Sequence, residues 1–237
     1  MTTVLQFSGG KDSLAMLHLL KPRWNELVVM WCNTGAAFPE TIELMRDVQT
    51  TVPYFLEVKG TQNIASDGYP ADVIPTLRTK VGLLAFGSSA QAFQSRFTCC
   101  AHAIWAPMHR ACVALGATTI IRGQKNSDAL RAPVVDGQVV DGVRYEFPLH
   151  DWADADVYKY LSEHDIPLPR NYKLMNTGLD CWNCTAYLGE NQKKLAYMRE
   201  HHPDKHVHVA RVLRDLNRAV SDEAAPMKTI LESTCGI

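Results

Sequence analysis

Ser8-Gly9-Gly10-Lys11-Asp12-Ser13 stands directly behind the apolar run Val4 to Phe7 and directly ahead of Leu14-Ala15-Met16-Leu17. Two adjacent glycines let the backbone bend so that successive N–H groups face one point. A helix starting there adds the positive end of its dipole, and the pair forms an anion-binding turn. Lys11, Ser8 and Ser13 bring further donors, so the chemistry implied is the grip of a phosphate or phosphosulfate group of a nucleotide. The spacing is not that of a Walker loop, because Leu5 stands where such a loop needs a glycine five residues before Gly10. A tight strand-to-helix connection with no ligand is the plainer alternative.

The second chemistry-bearing set is made of thiols. Of seven cysteines, Cys99 and Cys100 are adjacent, and Cys181-Trp182-Asn183-Cys184 follows about eighty positions later. Thiolates are soft, negatively charged ligands that suit an iron–sulfur cluster or zinc. Structural zinc favours a spacer between paired cysteines, so adjacency puts the cluster ahead, with zinc and unliganded thiols still open. Trp182 would shield such a site from solvent. Cys32 and Cys112 fall in apolar patterns and read as small buried hydrophobes. Cys235, near the end of the sequence, is either a nucleophilic thiol on a mobile tail or an inert exposed one.

Other groups read as structural. Asp151, Asp154 and Asp156 suit the first turn of a helix, where carboxylates complement the dipole. His201, His202, His206 and His208 crowd around Pro203 and read as a solvated helix junction in preference to a metal set. Arg211, Arg214 and Arg218 share a helical face and read as a solvated stripe.

These residues need a scaffold, and the chain supplies one. Its 237 residues, 46% hydrophobic, suffice for a substantial core, and a net charge of −1 provides no global field for nucleic acid. A small nucleotide is thus a better partner than RNA or DNA. The sequence opens almost at once on an apolar strand and has no apolar run near the ~18 residues of a membrane span, which points to a cytoplasmic protein with no membrane partner. An odd cysteine count agrees with metal ligation or thiol chemistry in a reducing compartment.

Strands are expected at Val4 to Phe7, Leu27 to Asn33, Tyr54 to Val58 and Thr118 to Ile121, alternating with helices from Asp12, Phe38 and Ala103. That alternation predicts an α/β fold with a doubly wound, mainly parallel sheet. Arg122-Gly123-Gln124-Lys125 would then lie at the ligand-binding edge of the sheet. Val134 to Phe147, with Asp136-Gly137 and Asp141-Gly142, reads as hairpin structure, and Ala153 to Glu163 as an amphipathic helix. Residues 60 to 98 read as an irregular helical excursion. Residues 1–189 are expected to form the nucleotide-binding and cysteine-bearing domain, with 190–237 as a helical C-terminal extension.

Taken together, the residues resemble the assimilatory sulfonucleotide reductases of the PP-loop superfamily, in their iron–sulfur branch. The resemblance rests on Ser8 to Ser13; Asn33-Thr34-Gly35 with Phe38-Pro39-Glu40-Thr41; Cys99-Cys100 with Pro107 and Arg110-Ala111; Gly123-Gln124-Lys125 with Arg131; Pro148-Leu149-His150-Asp151-Trp152 before Asp156-Val157; and Gly178 ahead of Cys181 and Cys184. It implies the PP-loop, adenine nucleotide alpha hydrolase-like fold. It implies substrate contacts from Ser8, Gly9, Gly10, Lys11, Asp12, Ser13, Thr34, Gly35, Gly123, Lys125 and Arg131. It also implies a 4Fe-4S cluster on Cys99, Cys100, Cys181 and Cys184.

In such enzymes a C-terminal cysteine, matched here by Cys235, attacks the sulfur of adenylyl sulfate or phosphoadenylyl sulfate and carries an S-sulfocysteine. Thioredoxin or a similar dithiol then releases sulfite. This chain departs from the family pattern in ending on Ile237 without the histidine that usually follows Cys-Gly, and in placing about fifty residues between Cys184 and Cys235. Lys125 stands where arginine is commoner, and the leading helical segment of many members is missing. ATP-dependent PP-loop sulfur transferases of the tRNA-thiolation type share the first motif, with Asp12 helping to position magnesium. A redox or iron–sulfur sensor that keeps a nucleotide site is a third reading. The preference at the 3′ position and a homo-oligomeric state stay open.

Overall fold

Short β-branched runs that alternate with helical periodicity fold here into eight strands and nine α-helices among the described residues, 2–129, 131–190 and 192–235, in a computed structural model. In chain order they are β1 (Thr2–Gln6), α1 (Lys11–Leu19), β2 (Leu27–Asn33), α2 (Pro39–Thr51), β3 (Phe55–Lys59), α3 (Ile64–Asp67), β4 (Tyr69–Ala71), α4 (Lys80–Ala85) and β5 (Phe93–Ser95). Then follow α5 (Arg96–Cys100), α6 (Ala106–Ala114), β6 (Ala117–Ile121), β7 (Val139–Val140), β8 (Val143–Glu146), α7 (Asp154–Glu163), α8 (Gln192–His201) and α9 (Pro203–Cys235). No helix among the described residues is long and apolar enough to cross a membrane.

The chain divides into two compact units. One runs to Gly60 and resumes over Ile104–Cys181; the other takes Thr61–Ala103 and the C-terminal span from Trp182. This differs from the expected division at residue 190. The reason is local: Tyr69, Ala71 and Phe93 from the middle of the chain share a core with Val212 and Leu216 of α9.

The first unit is a six-stranded sheet in the order β3-β2-β1-β6-β8-β7. Every pairing is parallel except β7 with β8. Alternation along the strands sends neighbouring side chains to opposite faces. Leu5, Val29 and Ile121 pack with Leu14 of α1, Met45 of α2 and Val157 of α7, whereas Val4, Met30 and Ile120 pack with Cys112 of α6. Each such fully buried aliphatic side chain contributes roughly 1.5–3 kcal/mol. With both faces covered, the strands read as near-continuous apolar runs, and the doubly wound expectation holds.

The strand order reverses at β1. Its neighbour β2 follows through α1, and its other neighbour β6 arrives much later from the far side. Loops leaving the C-terminal ends of β1 and β6 therefore part and open a crevice, the usual ligand position in such sheets. The expected hairpin is β7–β8, closed by Asp141 (φ 49°) and Gly142 (φ 80°). A two-residue turn with both φ positive matches the strand twist.

In the second unit, residues 60 to 98 are more ordered than their pattern promised. β4 and β5 form a two-stranded parallel sheet with Tyr69 opposite Phe93. Strands of three residues, one of them Pro70, are too short to show alternation. Gly68 has φ +92°, and a Cβ there would lie 2.3 Å from the Ala92 backbone. Gly68→Ala therefore meets both a disfavoured backbone region and a steric clash. It should lower stability by at least about 3 kcal/mol, seen as early melting and as proteolysis within the second unit.

Candidate functional site

The turn read as anion-binding takes the conformation that its two glycines allow. Gly9 adopts φ +82°, and a Cβ at that position would meet Leu44 and Met45 of α2 at 3.0 Å. Gly10 is the N-cap of α1, and the first helical bond runs from Leu14 N–H to the Gly10 carbonyl at 2.9 Å. Earlier N–H groups precede the helical ladder, which is what makes a helix start an anion site. Ser13 Oγ donates to the Gly10 carbonyl at 2.9 Å, and Ser8 Oγ donates to Ser13 Oγ at 3.3 Å. The Lys11 N–H donates to the Tyr172 hydroxyl at 2.7 Å. Burial holds the Tyr172 phenol far above its ordinary pKa, despite that N–H. Gly178 lies against the turn, because a Cβ on it would come within 3.4 Å of the Gly10 Cα.

Across the crevice, the β6 loop closes on α1. A Cβ at Gly123 would sit 3.2 Å from the Asp12 carbonyl carbon, so glycine there favours the close backbone approach. Lys125, 2% exposed, places its Nζ 2.7 Å from Asp12 Oδ1, 2.9 Å from Asp128 Oδ1 and 3.3 Å from Asp154 Oδ1. Lys11 Nζ lies 3.0 Å from Asp12 Oδ2 and 3.1 Å from Asp154 Oδ1. Burial pulls the Lys125 pKa down, but hydrogen bonds and charge from Asp12 and Asp128 outweigh it and raise it. At Asp154 burial pushes the carboxyl up, and the hydrogen bond and charge of Lys11, with Lys125, more than reverse that. The two lysines read as substrate contacts are thus held by three carboxylates.

The remaining residues read as substrate contacts are dispersed around this centre. Thr34, at the end of β2, brings its Oγ1 to 3.1 Å from Cys181 Sγ. Gly35 (φ +79°) donates its N–H to Asn33 Oδ1 at 3.0 Å. Arg131 is exposed and bonds Asn126 through its carbonyl at 3.0 Å and its Oδ1 at 3.2 Å. Asn126 in turn meets His150 Nε2 at 2.9 Å, which ties the β6 loop to the Pro148 to Trp152 block. Asp156 makes the N-terminal helix contact expected of it, accepting the Ala153 N–H at 2.7 Å.

Three of the four paired cysteines belong to the second unit. Cys99 and Cys100 close α5, and Cys184 is placed by its neighbours: Thr185 Oγ1 donates to the Pro70 carbonyl of β4 at 2.7 Å, and Asp72 accepts from the N–H groups of Tyr187 and Leu188 at 2.8 and 2.9 Å. Tyr187 sits at φ 57°, a strained value for a bulky residue. The Arg96 guanidinium covers its ring at 4.5 Å, and its hydroxyl lies 3.6 Å from Cys100 Sγ. Burial first, then Cys100 and Cys184, push the Cys99 thiol up to about 12. Cys181 is the last residue of the first unit. The Cys235 side chain lies outside the described residues.

Among the residues read as structural, Cys112 is a buried hydrophobe as expected, and Arg211, Arg214 and Arg218 are exposed. The histidine reading needs correction. His202 is buried, and His208 is not simply solvated: its Nε2 lies 2.6 Å from the Tyr69 hydroxyl and its ring packs edge-on to Trp182. Trp182 also carries Lys205 over its face at 5.5 Å. Sequence reasoning missed Asp128, Tyr172 and the second role of Asp154. The i,i+3 spacing of Lys125 and Asp128 was a readable signal; Tyr172 reaches Lys11 from 161 positions away and left none.

The sequence profile of the phosphoadenosine phosphosulfate reductase domain matches residues 2–187. The chain belongs to this family. Among relatives of this phosphoadenosine phosphosulfate reductase family, adenosine 5′-phosphosulfate reductase of Burkholderia cepacia is 25% identical over 187 residues, covering 77% of this chain and 70% of its own. Phosphoadenosine 5′-phosphosulfate reductase of Synechococcus is 27% identical over 166 residues, covering 69% of this chain and 66% of its own. Several further relatives are matched over less than two thirds of their length. The phosphate complex of phosphoadenylyl-sulfate reductase from Candida auris superposes with a TM-score of 0.53 at 21% identity, over 77% of this chain and 82% of that one. That likeness supports the fold.

Asp154→Asn tests the bridge between the two lysines. Its carboxylate is more than half exposed, so solvent screening limits the loss to less than about 1 kcal/mol. A folded pKa below the ordinary ~3.9 makes this contribution complete above about pH 5 and lost as pH falls through the folded value. Urea denaturation of wild type and variant should therefore differ at neutral pH and converge in acid.

Proposed function

We propose that this chain is a sulfonucleotide reductase, converting adenylyl sulfate or phosphoadenylyl sulfate to sulfite and the nucleotide monophosphate. The observation that carries this reading is the crevice at the β1/β6 reversal, where the Gly9-Gly10 turn, the start of α1 and the ammonium groups of Lys11 and Lys125 converge. Sulfur bonded to a nucleotide phosphate becomes electrophilic when the departing oxygens are neutralised. Backbone N–H groups and the two lysines are suited to that work. Cys235 is the nucleophile in this reading: its thiolate forms a bond to sulfur, the S–O bond to the nucleotide breaks, and the monophosphate leaves. A dithiol of thioredoxin type then attacks the Cys235 sulfur, sulfite departs with the electron pair, and the second thiol of the donor closes its disulfide.

The thiol set suits a 4Fe-4S cluster. Cys99, Cys100, Cys181 and Cys184 provide four soft ligands, and three of them are gathered on neighbouring elements of one unit. Among the described residues no three His, Cys, Asp or Glu side chains stand as ligands of a single ion. A cluster that takes one thiolate per iron does not need that geometry. When bound, it would supply a fixed charge that tunes the reaction without changing its oxidation state. The Tyr187 hydroxyl and the Arg96–Asp72 pair would orient Cys100 and Cys184 around it.

An ATP-dependent sulfur transferase is the second reading, favoured by one observation. Three carboxylates face two lysines in the crevice, an excess that suits a triphosphate arriving with a divalent cation. An anaerobic assay with adenylyl sulfate, phosphoadenylyl sulfate and ATP in parallel, with reduced thioredoxin present, separates the two. Sulfite is expected from one of the sulfonucleotides; pyrophosphate from ATP without sulfite would overturn the reductase reading.

Cys235→Ser should abolish sulfite release and shift nucleotide Kd by less than about threefold. Lys125→Ala, which removes charge-assisted hydrogen bonds of ~1.5–3 kcal/mol, should weaken nucleotide binding by about 10- to 100-fold. Cys184→Ser should remove the brown colour of anaerobically purified protein, and a colourless, fully active wild type would refute the cluster.

A further inference from the structure

Arg122 stands at the crevice and has no part in the chemistry assigned to it above. It directly follows β6, and alternation along the strand sets it with Ile120 on the α6 face of the sheet. Its main-chain N–H donates to the Glu146 carbonyl at 3.1 Å, which keeps it in the sheet at the strand end. Gln6 closes β1 on the same face, and its Oε1 accepts the Arg122 Nε–H across the strand-order reversal.

That is the one hydrogen bond of the guanidinium among the described residues. A guanidinium has five N–H donors and stays charged at neutral pH. Lys11 meets two carboxylates and Lys125 three. No carboxylate pairs with Arg122 among the described residues. The ionisable groups that face it are the Tyr145 phenol and the Cys112 thiol, and burial pulls its pKa below the ordinary arginine value. Glu146, beside it on β8, is sent to the other face by the same alternation and lies 3.8 Å from Arg23.

A partly buried cation with donors to spare and no counter-charge is suited to bind an anion from outside the chain. Its position says which anion. The next residue, Gly123, approaches Asp12 in the first turn of α1. A phosphate at the Gly9-Gly10 turn and a phosphate at Arg122 would therefore belong to one molecule lying across the ends of β1 and β6. In sheets that bind dinucleotides at such a reversal, an arginine beside the crevice takes the additional phosphate on the ribose.

We propose that Arg122 is a specificity-determining residue that binds the 3′-phosphate of phosphoadenylyl sulfate, so that this chain prefers the 3′-phosphorylated sulfonucleotide to adenylyl sulfate. This rests on the sulfonucleotide reading of the crevice. Gln6 orients the guanidinium through Nε and leaves both Nη groups for the phosphate. That bidentate, charge-assisted pair has no equivalent with a ribose hydroxyl.

Isothermal titration calorimetry of the full chain with adenosine 3′,5′-bisphosphate and with adenosine 5′-monophosphate tests this. Wild type should bind the bisphosphate at least about tenfold more tightly. Arg122→Gln should lose that difference and leave the monophosphate Kd within about threefold of wild type. Arg122→Lys keeps the charge but not the paired donors, so it should retain part of the difference; it also serves if Arg122→Gln does not fold. Gln6→Leu removes the acceptor for Nε–H and should reduce the difference as well. A wild type that binds both nucleotides equally would overturn the proposal and leave the reductase reading standing. An Arg122→Gln variant in which both nucleotides weaken together would do the same, since stacking on the base or a structural role gives that result. A wild type that binds neither nucleotide would overturn both.

Discussion

Two lysine ammonium groups buried at the head of a parallel sheet are the constraint around which the first unit is arranged. Taking such a charge out of water costs several kcal/mol unless carboxylates meet it at hydrogen-bond distance. Asp12 from α1, Asp128 from the β6 loop and Asp154 from the start of α7 do so, and each comes from a different element. The ion pairs therefore tie together the two loops that diverge at the strand-order reversal, and they keep the crevice from drifting apart. The same pairing means that both ammonium groups are met by carboxylates within the folded chain, so the cost of taking them out of water is largely offset there.

Glycine acts in this site through closeness as much as through freedom of φ. Gly9 needs its positive φ to turn the backbone, whereas at Gly123 the Asp12 main chain comes so near that a Cβ would be tight, and Gly178 lies in contact range of Gly10. Three segments far apart in sequence thereby converge on the first turn of α1, with Tyr172 capping one of its N–H groups. The result is a turn whose donors point inward from a rigid seat.

The second unit solves a different problem. Its middle segment has strands too short to stand alone, and α9 lends it a core through Val212 and Leu216. On that small scaffold, Asp72 organises the cysteine-bearing turn by taking two N–H groups and the Arg96 guanidinium together. The strained backbone at Tyr187 persists because those bonds and the stacked guanidinium over-determine it. α9 is longer than this core requires, and its apolar stripe runs past the residues that cover it.

Local pattern alone determined the strand and helix alternation of the first unit, the β7–β8 turn, the Gly9-Gly10 turn into α1 and the grouping of cysteines by spacing. Each depends on residues within a few positions of one another, where the steric limits on glycine and the two periodicities of helix and strand decide the outcome. Tertiary structure alone decided that Lys11 and Lys125 share the Asp154 carboxylate, since Asp154 lies about 140 positions from Lys11 in sequence. It also decided that Tyr172 caps the turn, and that residues 61–103 belong with the C-terminal helices. Charge neutralisation and burial act through space, and only the folded chain fixes which partners are near.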